Sequence, residues 1–123
     1  MRIEAPNPKS PKARCSGKLR ARQSARRGLP AVGFIGAGRA GTALAWHCRR
    51  LGYPIAGVAD KRPRQAWVVY GLLKHPYERL RTTEVAARSR VLFLTTPDSA
   101  IAPEYAAVRR WLLPGAVVVH CSG

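Results

Sequence analysis

Acidic residues are scarce in this chain. Its 123 residues include 6 Asp and Glu against 22 Lys and Arg, a formal net charge of +16. Such an imbalance favours phosphorylated ligands, nucleic acid or an anionic surface as partners, and it says nothing about fold. Cysteine is nearly absent too: Cys15, Cys48 and Cys121 lie far apart with no CxxC spacing, which argues against a disulfide framework or a zinc knuckle. No His, Cys, Asp and Glu cluster has metal-ligand spacing, so no metal site is expected. No apolar run approaches the roughly 20 residues of a membrane span, and the N-terminus lacks a signal-peptide apolar core. A cytoplasmic protein is the simplest reading.

What the chain does have is enough apolar material, 46% of residues, for one small domain. The charge divides it in two. Residues 1–30 carry nine basic residues and one acid, Glu4, with three early prolines and little apolar content. They read as a basic, largely disordered extension. Contact between this tail and nucleic acid is conceivable, but no recognisable module accompanies it, and a solvated extension is the favoured reading. Residues 31–123 form the folded domain.

Within that domain apolar runs alternate with helical periodicity. Strands are expected at 31–35, 55–59, 80–82, 91–95 and 116–120. Helices are expected at 40–51, with Ala40, Leu44, Cys48 and Leu51 inward and Gly52 ending it, and at 63–73, opened by Pro63. A short helix at 83–88 has Thr83 as its cap. A last helix begins near Ala102, because Pro103 belongs in a first turn, and runs through Leu112 with Val108, Trp111 and Leu112 as core contacts. Trp46, Trp67 and Tyr70 read as packing residues, or as aromatics left exposed by a missing partner domain. His47 and Cys48 read as packing or surface residues. Continuous apolar strands alternating with helices imply a three-layer α/β domain around a mostly parallel five-stranded sheet. Right-handed crossovers give it the order 3-2-1-4-5.

The strand ends carry the chemistry. Gly36-Ala37-Gly38-Arg39-Ala40-Gly41 fits GxGxxG between a strand and a helix, with Asp60 following 22 positions after Gly38. In a dinucleotide site the first glycine allows the tight turn, the second admits the pyrophosphate and the third lets helix pack on strand. The helix N-terminus supplies N–H groups and a favourable dipole. The alternative is a purely structural turn. Arg39 either touches the pyrophosphate or faces water. Asp60 suits a ribose 2′-hydroxyl and hence NAD, whereas Lys61, Arg62 and Arg64 suit the 2′-phosphate of NADP. The balance tips slightly toward NADP.

Thr95, Thr96 and Pro97 follow the next strand and are expected along the cofactor, while Asp98 and Ser99 serve equally well as caps. At the chain's end, His120 is placed to move a proton or orient a carbonyl, and Ser122 to hydrogen-bond substrate or cofactor amide. Structural roles remain open for both. Cys121 is poorly arranged to pair with His120, because neighbours on a strand point to opposite faces.

The stretches AVGFIGAGRAG (31–41), TTPDSAI (95–101) and VHCSG (119–123) together resemble a family of bacterial Rossmann-like oxidoreductases. Members join an N-terminal NAD(P)-binding domain to a poorly characterised helical C-terminal domain. They are similar to pyrroline-5-carboxylate reductase and the 6-phosphogluconate dehydrogenase superfamily. The resemblance covers residues 31–123. It implies cofactor positions at Gly36, Gly38, Gly41 and the Thr96-Pro97 loop, and maps the family's HxSG stretch to His120, Ser122 and Gly123 near the nicotinamide. Where relatives often have a small polar residue and Arg after the second strand, this chain has Asp60 and Lys61. The resemblance also implies a second domain that supplies substrate pocket and dimer contacts. Two functions follow as expectations: an oxidoreductase moving hydride between a nicotinamide cofactor and a small substrate, or a non-catalytic or truncated dinucleotide-binding module.

Overall fold

The computed structural model describes residues 28–121. Most of the expected basic extension, and Ser122 and Gly123, lie outside the described residues. The elements in chain order are β1 (Val32–Ile35), α1 (Arg39–Arg50), β2 (Ile55–Ala59), α2 (Pro63–Leu73), α3 (Thr82–Arg88), β3 (Val91–Leu94), α4 (Asp98–Val108), a 3-10 turn (Arg109–Trp111) and β4 (Val117–His120). The strands form one parallel sheet in the order β2-β1-β3-β4. The chain therefore reverses its direction of winding between β1 and β3, and loops at the C-terminal strand ends meet there.

Strand alternation divides the core into two layers. Val32 and Phe34 of β1 face α1 and α2 and pack with Ala45, Val58, Val69, Tyr70 and Leu73. Phe34 stacks on Phe93 of β3, with ring centroids 5.1 Å apart and an angle of 7° between planes. On the opposite face Ile35, Leu92 and Leu94 pack with Val85 and Ala86 of α3 and Val108 of α4. β1 is buried along its whole length, as a central parallel strand covered by helices on both sides must be.

Among the described residues the sheet has four strands, which corrects the expected five-stranded sheet of order 3-2-1-4-5. Residues 80–82 make no strand; Leu80 leads into α3, whose first turn is closed by Glu84. Glu84 Oε1 accepts the Arg81 backbone N–H at 3.0 Å and its Nε at 3.2 Å. Arg81, not Thr83, is the N-cap. Leu80 and Val85 flank Gly57, an apolar clasp across the helix start. The edge of β2 that a further strand would have joined is occupied: the Val58 N–H donates to the Tyr70 hydroxyl at 3.0 Å.

Helix faces explain the other differences. The inward residues of α2 are Ala66, Val69, Tyr70 and Leu73, a helical i, i+3, i+4, i+7 set, so Trp67 falls outward and is 59% exposed. In α1 the inward set is Gly41, Leu44, Ala45 and Cys48. Ala40, Trp46 and Leu51 are exposed. Trp111 is exposed too, one turn beyond the inward Val108. α4 starts at Asp98, not near Ala102, which leaves Pro103 inside it. The proline has no N–H to donate to Ser99, but Ser99 and Pro103 are both exposed, so water can satisfy the freed carbonyl. At the end of α1 the expectation holds: Gly52 takes φ +92°. Its N–H donates to Arg49 and the Tyr53 N–H to Cys48, a paired C-terminal closure that needs a left-handed residue.

Candidate functional site

The glycine loop bridges β1 and α1, and its three glycines do different work. Gly36 has φ +107°, and a side chain there would run into the Thr95 backbone, 2.7 Å from its carbonyl oxygen. A Cβ on Gly41 would strike the Gly36 carbonyl and the Thr95 hydroxyl. Both glycines are thus demanded by packing. Gly38 is different: its φ is −79°, and nothing lies within 4 Å of where a Cβ would sit. The protein alone gives no steric reason for glycine at 38.

Thr95 and Asp60 hold the loop from two sides. The Thr95 hydroxyl lies 2.7 Å from the Gly36 carbonyl oxygen, and its backbone N–H donates to Ile35. Asp60 Oδ2 accepts the Ala37 N–H at 2.7 Å. Asp60 Oδ1 accepts the Arg62 backbone N–H at 2.8 Å and Arg62 Nε at 3.2 Å. Burial favours the neutral form of Asp60, but the Ala37 and Arg62 N–H groups and the Arg62 charge outweigh it and hold the carboxyl below its ordinary value. Both oxygens are therefore already engaged within the protein. The Asp60 side chain is 8% exposed and that of Arg62 is 64% exposed, so the guanidinium is anchored at its base and open to solvent beyond it.

Two cavities meet over Gly38 and Arg62, each of which lines both. One, about 740 Å³, lies between α1 and α2, bounded by Arg39, Thr42, Trp46, His47 and Gln65. The other, about 800 Å³, lies over the C-terminal strand ends, bounded by Asp60, Lys61, Thr95, Thr96, Pro97 and Cys121. Sites of this size suit small-molecule ligands and cofactors. The first turn of α1 opens onto both cavities, and the leading N–H groups of any helix lack intrahelical partners.

The structure thus brings Gly36, Gly38, Ala40, Asp60, Lys61, Arg62, Thr95, Thr96 and Pro97 to one crevice, with Ala37 and Arg39 on the adjoining wall. Gly41 sits beneath, as a packing position. Asp98 is the first residue of α4, after Pro97 at the N-cap, and neither it nor Ser99 makes a side-chain cap bond. His120 pairs with Leu94 in the sheet register and is exposed. Cys121, not His120, is among the residues that line the crevice. Among the described residues no group of three His, Cys, Asp and Glu could hold a metal ion, and no helix is long and apolar enough to cross a membrane.

Sequence reading passed over Thr42, Gln65 and, on the far wall, Thr82 and Glu104. A signal for Glu104 was present: between Ser99 and Val108 it is the one charged residue of an otherwise largely apolar helix.

The profile of the Rossmann-like domain family matches residues 16–123. Similar solved structures include a Bacteroides fragilis protein assigned as an NADP oxidoreductase, 23% identical, with TM-score 0.67 over 76% of this chain and 36% of that one. Arogenate dehydrogenase from Synechocystis is 21% identical, with TM-score 0.68 over 75% of this chain and 32% of that one. A variant imine reductase from Myxococcus stipitatus, in complex with NAD+, is 23% identical, with TM-score 0.62 over 76% and 32%. The chain spans about a third of the length of these structures. No curated protein sequence matches it.

Proposed function

The chain belongs to the Rossmann-like domain family, and from that premise we propose that it is the nicotinamide-dinucleotide-binding module of an oxidoreductase. The observation that carries this reading is the empty space over Gly38. Gly36 and Gly41 are explained by packing, whereas glycine at 38 makes sense when a ligand takes the room a side chain would fill. A pyrophosphate there would face the first N–H groups of α1, where the helix dipole favours negative charge.

A dinucleotide laid over Gly38 fits the crevice at the C-terminal strand ends, its adenosine end toward Asp60, Lys61 and Arg62 after β2 and its nicotinamide end toward β3 and β4. Asp60 acts in this reading as a strut for the loop, since its oxygens are taken by Ala37 and Arg62. Its charge is balanced by Arg62, while Arg39, Lys61 and Arg64 remain exposed at the rim. That surplus of cations supports NADP over NAD, since a 2′-phosphate rewards charge-assisted hydrogen bonds. When bound, the nicotinamide ring supplies the hydride chemistry; the chain's own residues bind, orient and shield it. The substrate is a small molecule reached from the β3–β4 side, with Cys121 of this chain nearby. In this reading His120 or Ser122 handles the proton.

A second reading is a module that binds dinucleotide without turning it over. It is favoured by the position of His120, which is exposed and does not line the crevice. Titrating the purified chain with NADH and NADPH, followed by fluorescence, tests both. Saturable binding, tighter for NADPH, is expected; no saturable response to either sinks the dinucleotide reading. Hydride transfer by the isolated chain would reject the binding-only alternative.

A further inference from the structure

The outer helical layer carries apolar groups that the core does not use. In α2 the inward set Ala66, Val69, Tyr70 and Leu73 leaves Trp67, Val68, Gly71 and Leu72 on the opposite side, all exposed. A helix apolar all round is ordinarily covered all round, yet Trp67 is 59% and Leu72 54% exposed. Gly71 is unfavourable in a helix relative to alanine. Nothing lies within 4 Å of where its Cβ would sit, so packing within the protein does not ask for a glycine there.

Two concavities meet on this layer at Leu72, which lines both. One, of about 430 Å³, is bounded by Trp67, Gly71, His75 and Tyr77. The other is the cavity between α1 and α2, with Trp46 and His47 in its wall. Arg50 lies over the Trp46 ring, 4.7 Å from its centroid. No acidic residue lines either cavity.

The charge of the layer is one-sided. Residues 39–74 hold seven basic residues and one acid, Asp60, which Arg62 balances. The next acid along, Glu78, is paired with Arg88 at 3.0 Å. Arg64 stands one turn before Trp67 on the same side of α2, and Lys74 is the C-cap of that helix; both are exposed. A second copy seated here would set cations against cations, a costly juxtaposition. A lipid surface suits protruding apolar groups, whereas these line concavities. The complement is a polyanion that brings a flat ring with each charge. Single-stranded nucleic acid has one phosphate and one stackable base per residue, and proteins that hold it interleave cations with aromatics.

We propose that the outer face of α1 and α2 binds single-stranded nucleic acid. Bases stack at Trp46, Trp67 and Tyr77, and phosphates lie on Arg50, Arg64 and Lys74. Residues 1–30, with nine basic residues and no aromatic, add attraction that is independent of sequence. None of the three aromatics lines the crevice at the strand ends, so this site is separate from the dinucleotide reading and does not rest on it.

Fluorescence anisotropy of labelled oligothymidylate and oligouridylate on the full chain tests the proposal. Trp67→Ala combined with Tyr77→Ala alters no charge and keeps the basic residues 1–30. It should weaken both oligomers about 10- to 100-fold and leave NADPH binding unchanged. Arg64→Ala combined with Lys74→Ala should weaken them too, and should reduce the slope of affinity against salt by about 1 to 2. Duplex DNA, whose bases are already stacked, should bind the wild-type chain more weakly and be indifferent to the aromatic pair. If that pair unfolds the chain, Trp67→Ala alone makes the same comparison at an exposed position. Unchanged oligomer affinity in a folded aromatic variant overturns the proposal and leaves the charge of residues 1–30 as the source of any binding. Two other outcomes overturn it as well. One is aromatic-dependent sedimentation with phosphatidylglycerol vesicles without aromatic-dependent oligomer binding, which assigns the face to lipid. The other is a dimer in solution that Trp67→Ala dissociates, which assigns it to a second copy.

Discussion

Asp60 Oδ2 accepts the backbone N–H of Ala37 at 2.7 Å, a bond that spans 23 positions of sequence. It ties the end of β2 to the glycine loop after β1, so the acid that ends the strand also shapes the loop. Its carboxyl is held below the ordinary value despite burial. A group depressed in the folded state contributes stability that is fully present above its unfolded value, near 3.8, and is lost as pH falls through the folded value. Urea titrations of the wild-type chain from pH 6 downward should therefore show stability falling below about pH 4.5, and Asp60→Asn should flatten that fall. An unchanged pH slope in the variant would remove Asp60 as its source. Asp60→Ala should also weaken NADH and NADPH together, because the loop loses its strut. Selective loss of NADH would instead mark Asp60 as a ribose reader.

Gly38 and Gly41 should separate binding from folding. Gly38→Ser puts a favourable N-cap residue at the start of α1 and a side chain into the open space where the pyrophosphate is proposed to lie. Thermal stability should hold or rise slightly while dinucleotide affinity is lost. Gly41→Ala forces a methyl against the Gly36 carbonyl and Thr95, which should cost about 1–3 kcal/mol, the usual penalty of overpacking. Equal loss of stability in both variants, read by denaturant melts, would contradict the division of roles.

Arg62 is anchored at Nε by Asp60 and open beyond it. If its free guanidinium nitrogens take a 2′-phosphate, Arg62→Ala should weaken NADPH about 10- to 100-fold, as expected for a charge-assisted hydrogen bond. NADH should change only a few-fold. Equal effects on the two cofactors would assign Arg62 to the pyrophosphate or to loop support.

The Tyr70 hydroxyl accepts the Val58 N–H inside the core. Burial raises the Tyr70 phenol above its ordinary value, with the Val58 bond opposing that shift. Tyr70→Phe keeps the ring and orphans a buried donor, so about 1–3 kcal/mol of stability should go. A melt unchanged within experimental error would show that water replaces the hydroxyl at this edge.

Much of the architecture was legible in the residues because it rests on local signals. Pro63 opened α2 and Gly52 closed α1, since each meets a backbone need that few residues satisfy. The GxGxxG spacing announced the loop for the same reason. The short segments misled. Leu80–Thr82 looks like a strand by composition, yet the Tyr70 hydroxyl holds the edge it would need, and Leu80 serves as a clasp beside Gly57 instead. Pro103 looked like a helix opener, but exposure makes a missing hydrogen bond inside α4 tolerable. The tryptophans are apolar by type and outward by helical phase, and only phase decides what they touch.

The sequence by itself determined an α/β chain with a parallel sheet, and a glycine loop between a buried strand and a helix. Those features depend on residues close together in the chain: periodicity, turn chemistry and backbone freedom. Only the tertiary structure decided the number of strands, the engagement of Asp60 with Ala37, the open space over Gly38 and the gathering of Trp46, Trp67 and Tyr77 on one outer layer. Each of these is a distance between segments that the chain order does not encode, because it is set by how layers of side chains pack across the sheet.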